Sequence, residues 1–187
     1  MVKRKPTIKY YFSVEGETEH WYLKWLQDVI NNTEKAACKV SIECPVSKNP
    51  LKHVKSMTVT RRIDIYHFFD YESSESLHVN GFQEALDNMK KAEKIGKQYI
   101  TPINQAFGEK FANMDEFKEE NNFKRCLKKM NLSNVISAIE RSKKIMLRNN
   151  ENGYKLCEYK GYKYYRENPS LAVWESIEKI LKDCELV

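Results

Sequence analysis

The chain of 187 residues predicts an α/β fold: a mostly parallel four-stranded sheet covered by helices, with a helical C-terminal portion. Three observations predict it. Strand-like and helix-like runs alternate through the first hundred residues, the order that builds a parallel sheet. The run ending at Asp70 is almost wholly apolar, as expected of a strand covered on both faces. Beyond about residue 104, helical sequence prevails apart from one tyrosine- and lysine-rich stretch. Hydrophobic residues make up 41% and charged residues 31%, the balance of a globular chain. No apolar stretch approaches the ~20 residues of a membrane span. The basic start, Met1 to Pro6, lacks the apolar core of a signal peptide. The expectation is one cytoplasmic domain over 1–187, with an α/β core at 1–104, a helical extension at 105–187 and no membrane partner.

The elements follow in order. Residues 7–14 read as a buried strand. Residues 18–31 read as a helix, with Trp21, Tyr22, Trp25, Leu26, Val29 and Ile30 at helical spacing and Thr18 as cap or first-turn residue. Strand two spans 38–45, where Cys38, Val40, Ile42 and Cys44 alternate onto one face before Pro45 ends it. A short helix near 51–58 follows Pro50. Strand three spans 63–70. A polar loop over 72–80 leads to a helix at 81–94, stopped by Gly96, and then to a short strand at 98–103. Asn131-Leu132-Ser133 opens a further helix, with Ser133 as cap and Val135, Ile136, Ile139, Ile145 and Met146 as its apolar stripe. Residues 149–167 have no helical period and read as a loop or small hairpin. The last helix starts near Pro169, capped by Asn168, and runs to about Lys182 with Ile177, Ile180 and Leu181 on its buried face.

Five cysteines, Cys38, Cys44, Cys126, Cys157 and Cys184, are odd in number and widely spaced without a CxxC pair. That argues against a zinc site or a disulfide framework. Cys38 and Cys44 share a strand face and read as core. The net charge is +6, with Lys and Arg concentrated in 118–148 and 155–166. A basic shell around an acidic pocket suits a polyanionic substrate; the plainer alternative is that the lysines solvate helix faces.

The informative acids are Glu15, Glu17 and Glu19, where strand one meets the first helix, and Asp70 and Glu72, where strand three ends. Ligands of open α/β sheets bind at that carboxyl edge. Crowded carboxylates repel one another unless a cation or proton relieves them, and oxygen donors suit Mg²⁺ or Mn²⁺. Acids also favour helix starts for the sake of the helix dipole, which is reading enough for Glu17. Gly16 is expected to permit the tight turn between strand and helix. His20 either assists a proton transfer or is a half-buried helix residue, and His67 reads as a core histidine. Tyr154, Tyr159, Tyr162, Tyr164 and Tyr165, interleaved with lysines, either stack on bases or pack on the domain.

The pattern Glu15-Gly16-Glu17-Thr18-Glu19 between strand and helix, with Asp70-Tyr71-Glu72 after an apolar strand, resembles the Toprim domain of topoisomerases, primases and OLD-family nucleases. More narrowly it resembles the RloB-like branch found among bacterial antiviral genes. Asn49-Pro50, the helix through residues 137–143 and the closing Asn168–Trp174 segment agree with that branch. Two departures stand out: Glu72 replaces the usual second aspartate, and the motif after strand four survives only as Phe107 and Glu109 in the stretch Pro102 to Glu109. The resemblance implies a Mg²⁺- or Mn²⁺-dependent phosphodiesterase or nuclease in anti-phage defence. Glu15 and Asp70 would be catalytic, and Glu15, Glu19, Asp70 and Glu72 metal ligands. It implies nucleic acid, DNA or RNA, as partner, a further protein of a defence operon beside it, and leaves a homodimer open. The cations for a phosphodiester are sought in Lys124, Arg125, Lys128, Arg141, Lys160, Lys163 and Arg166. The competing reading is a non-catalytic Toprim-like module that binds nucleic acid or a partner.

Overall fold

Strands β1 (Thr7–Val14), β2 (Lys39–Glu43), β3 (Ile63–Phe68) and β4 (Gly96–Thr101) run parallel in one sheet, in the order β2-β1-β3-β4. The structure, a computed structural model, describes residues 4–47, 49–58, 63–68, 76–93, 96–101, 114–154, 156–165 and 173–187. Helices α1 (Glu17–Asn32), α2 (Pro50–Ser56) and α3 (Ser76–Ala92) alternate with the strands. Then come α4 (Met114–Lys118), α5 (Glu120–Lys128), α6 (Leu132–Glu151), an antiparallel hairpin of β5 (Leu156–Tyr159) and β6 (Tyr162–Tyr165), and α7 (Val173–Asp183). The parallel α/β arrangement is the one expected. No helix among the described residues is long and apolar enough to cross a membrane.

Strand alternation sorts the side chains into two layers. On one face Tyr10, Phe12, Val14, Val40, Ile42, Tyr66 and Phe68 meet Leu23, Leu26 and Ile30 of α1, Val135 and Ile139 of α6, and Ile177, Ile180 and Leu181 of α7. Phe12 is fully buried, stacked on Tyr66 with ring centroids 5.1 Å apart and edge-on to Phe68 at 5.2 Å. Tyr10 reaches α7 and donates its hydroxyl to Asp183 at 2.8 Å, which satisfies the one polar atom this face must bury there. On the other face Tyr11, Ile63 and Ile65 meet Val54 of α2 and Ala92 of α3. Cys38 and Cys44 are core residues, as expected, and all five thiols are free.

β2 is an edge strand, and α1 covers its open side with polar side chains. Asn31 donates to the Val40 carbonyl at 2.9 Å and accepts from its N–H at 2.8 Å; Gln27 accepts from Ile42 N–H at 2.7 Å; Lys24 donates to the Ile42 carbonyl at 2.6 Å. Residues 24, 27 and 31 share one helix face. Together they supply the bonds a neighbouring strand would have made, and so block edge-to-edge pairing.

Three local expectations are corrected. Residues 76–80 of the expected polar loop belong to α3, whose buried stripe is Phe82, Ala85, Leu86, Met89 and Ala92; residues 72–75 lie outside the described residues. Asn131, not Ser133, caps α6. Its side chain accepts from Asn134 N–H at 3.2 Å while Asn134 returns a bond to Asn131 N–H at 2.9 Å, so that Ser133 falls inside the first turn. Helix α6 also runs through Asn149, which is buried, to Glu151. It stops where Gly153 turns left-handed (φ 71°) and Tyr154 N–H returns to the Asn149 carbonyl at 3.1 Å. The expected start of the last helix, Asn168 and Pro169, lies outside the described residues.

The stretch after α6 is the hairpin. Its turn, Lys160-Gly161, has positive φ at both residues (52° and 90°), the two-residue connection that suits strand twist. Tyr162 is buried among Phe82, Ala85, Leu86 and Met89 of α3 and donates to Glu93 at 2.9 Å; Tyr159 packs beside it. For these two tyrosines the packing alternative holds. Tyr154 is exposed.

Candidate functional site

The strand order fixes where a ligand can enter. From β1 the chain passes through α1 to β2 on one side, then through α2 on the opposite face to β3 on the other side. The winding therefore reverses between β1 and β3, and at such a reversal the helices diverge and leave a crevice beyond the strands' carboxyl ends. Val14 and Phe68, the last residues of the two strands, are register partners. Both strands thus deliver the chain to the same edge at the same level. Beneath that edge Ser13 and His67, both fully buried, meet across the seam with Oγ and Nδ1 2.5 Å apart. His67 is the core histidine expected. Its serine partner was not foreseen, because the pairing register that joins positions 13 and 67 is set by the sheet.

Glu15 follows Val14 directly and is half-buried at this edge. Gly16 caps α1 in ordinary extended geometry (φ −135°, ψ 172°), which corrects the expectation that it is there for a special turn. Its nearest neighbour is the end of the Glu19 side chain. A Cβ at position 16 would stand 2.8 Å from Glu19 Oε2. Glu19 Oε2 is itself buried and has no hydrogen-bond partner among the described residues. An orphaned carboxylate oxygen is costly to bury; here it is folded back over the helix start, where the N-terminal dipole favours negative charge. Glu17 is exposed. His20 donates its Nδ1–H to the Cys44 carbonyl, 2.7 Å away, and is half-buried. Asp70 and Glu72 lie outside the described residues, as do Phe107 and Glu109. Among the described residues no three His, Cys, Asp or Glu side chains are grouped to hold a metal. Of the four expected ligands the described residues include Glu15 and Glu19, and one Glu19 oxygen has no partner among them.

The cations singled out from the sequence occupy several surfaces. Lys124, Arg125 and Lys128 are exposed on α5, which packs on α1 through Phe123 and Trp21, centroids 6.0 Å apart. Lys124 pairs with Glu120 and sits 5.8 Å over the Trp21 ring, one residue beyond His20. Arg141 is exposed on α6. Lys160, at the hairpin turn, is ion-paired with Asp87 of α3 at 2.5 Å. Lys163 lies in β6, and Arg166 is outside the described residues. The α5 cations are therefore those placed beside the first turns of α1.

A second feature escaped the sequence reading. A groove of about 1010 Å³ opens between the β1–β2 edge and α2, lined by Lys9, Lys24, Lys52, His20 and His53 among others. His53 is 8% exposed, and its Nε2 has no hydrogen-bond partner among the described residues. Neither histidine follows a ligand spacing; the fold brings His20 of α1 and His53 of α2 to one groove. No family model, curated protein or solved structure matches this chain.

Proposed function

We propose that the chain is a Mg²⁺- or Mn²⁺-dependent phosphodiesterase or nuclease of the Toprim type, acting on nucleic acid in bacterial anti-phage defence. The observation that carries this reading is the placement of Glu15 and Glu19 at the reversal between β1 and β3, with the Glu19 Oε2 atom buried and unpartnered. The motif resemblance adds Asp70 and Glu72, which follow β3 in the sequence. Glu15, Glu19, Asp70 and Glu72 would hold the ion, whose chemistry is to activate water and to balance the charge of a phosphodiester in transit. The chain's own part is to gather the carboxylates and to offer the α5 cations to the strand being cut. Replacement of the family's second aspartate by Glu72 and the altered 102–109 motif favour the second reading, a module of this fold that binds nucleic acid without cutting.

The test is thermal unfolding with and without the ion. Saturating Mn²⁺, at about 100 times its dissociation constant, should stabilise the chain by about 2.7 kcal/mol. Asp70→Ala and Glu15→Gln should each remove that gain. Cleavage of DNA, RNA or tRNA with Mn²⁺ then separates the nuclease from the binding module. A chain whose melting is indifferent to both ions contradicts both the metal site and the nuclease.

A further inference from the structure

We infer that the groove between the β1–β2 edge and α2 binds the phosphates of a single nucleic-acid strand, with Lys52 and Lys24 facing the backbone and His53 Nε2 bonding to it. This deepens the nuclease reading above and rests on it for the identity of the ligand. The groove is lined by His20, the residue after Glu19, and by the β2 end Glu43, Cys44 and Pro45. Its charged lining is three lysines against one carboxylate, Glu43, which is already paired with Lys9. Lys52 is exposed on α2 and has no ion pair among the described residues. Lys24 spends one donor on the Ile42 carbonyl and keeps two.

His53 is the observation that points to a ligand. The residue is more than nine-tenths buried in the groove wall, and its buried Nε2 has no hydrogen-bond partner among the described residues. Burial keeps the ring's pKa below its usual 6.5, against a smaller pull from Glu43, so the ring is neutral at pH 7 and offers a directional hydrogen bond rather than a charge. Two ammonium groups with free donors and one buried, directional nitrogen match successive backbone oxygens of a polyanion. A volume of about 1010 Å³ is at the upper end of pockets for small ligands, which fits a few nucleotides of one strand and not a rigid duplex.

The experiment measures binding of a fluorescent 12-nucleotide single strand by anisotropy, in EDTA, so that neither metal nor cleavage is required. Lys52→Glu should weaken binding about tenfold, and Lys52→Ala should lower the slope of log affinity against log salt by ~0.7, one phosphate contact. His53→Leu should weaken binding about tenfold with the melting temperature unchanged or raised, since the orphan atom is gone. Glu15→Gln should bind as tightly as the original chain, which separates this groove from the acidic centre. Inorganic phosphate and a mononucleotide should compete only weakly, as single contacts. Wild-type binding unaffected by Lys52→Glu and His53→Leu overturns the assignment. So does preference for duplex over single strand, or binding of the mononucleotide as tightly as the 12-mer. Absence of any strand binding overturns it too, and leaves the metal site to its own test.

Discussion

Glu178 of α7 shows how single charged groups tie the helical layers together. Its side chain is 12% exposed and accepts from Lys143 of α6 at 2.9 Å and from Lys182 at 2.8 Å. The bond from Lys182, with Lys143 adding to it and burial opposing, holds the carboxyl below its ordinary value of 4.5. A carboxylate with a depressed folded pKa stabilises the fold above its unfolded pKa, and that contribution disappears as pH falls through the lower folded value. Unfolding free energy should thus decline below about pH 4.5. Glu178→Gln should cost about 1 kcal/mol at pH 7, discounted because both lysines are partly exposed, and progressively less as pH falls through the lowered folded value. Urea titrations of the two proteins across pH 3–7 check this; an equal difference at both ends would remove the ion-pair explanation. Cys184 is a residue of another kind: burial first, then its contact with Cys38 (Sγ–Sγ 2.9 Å), pushes its thiol up to about 12 and keeps it protonated. It is core, and its position at the end of α7 could not be tied to Cys38 across so long a stretch of chain.

At the scale of elements, the α1–β2 edge is the least obvious stabilising device. Asn31 makes both Val40 bonds, so Asn31→Ala should cost about 1–3 kcal/mol and expose a strand edge able to pair with another copy. Calorimetry together with light scattering checks both effects; an unchanged melting temperature and a monodisperse solution would contradict the account. The strands and long helices were legible because their apolar spacing is dictated by burial, and β1, α1 and the Ile177–Leu181 face were read from it. What was not legible depended on partners. Asn131 outcompetes Ser133 because Asn134 stands three residues on to return its bond. At the start of α3 Leu77 and Val79 are two apart among Ser76, His78 and Asn80, a spacing that does not announce a helix. The hairpin tyrosines had two readings until Glu93 and the Phe82–Met89 stripe supplied a surface for Tyr162.

For the whole molecule, the decisive fact is the order of the strands. The sequence alone could say that parallel strands share a carboxyl edge; it could not say that β1 and β3 are neighbours, nor that the winding reverses between them. That adjacency sets the ends of β1 and β3, Val14 and Phe68, side by side, with Glu15 following the first. The same fold brings lysines of β1, α1 and α2 to one groove, which no motif announced. The most direct measurement is anomalous scattering from crystals grown with Mn²⁺. The account predicts a peak beyond the ends of β1 and β3, about 2.0–2.6 Å from carboxylate oxygens of Glu15 or Glu19 and of Asp70. Ordered carboxyls with no peak between them, or Asp70 turned away from Glu15, would contradict it.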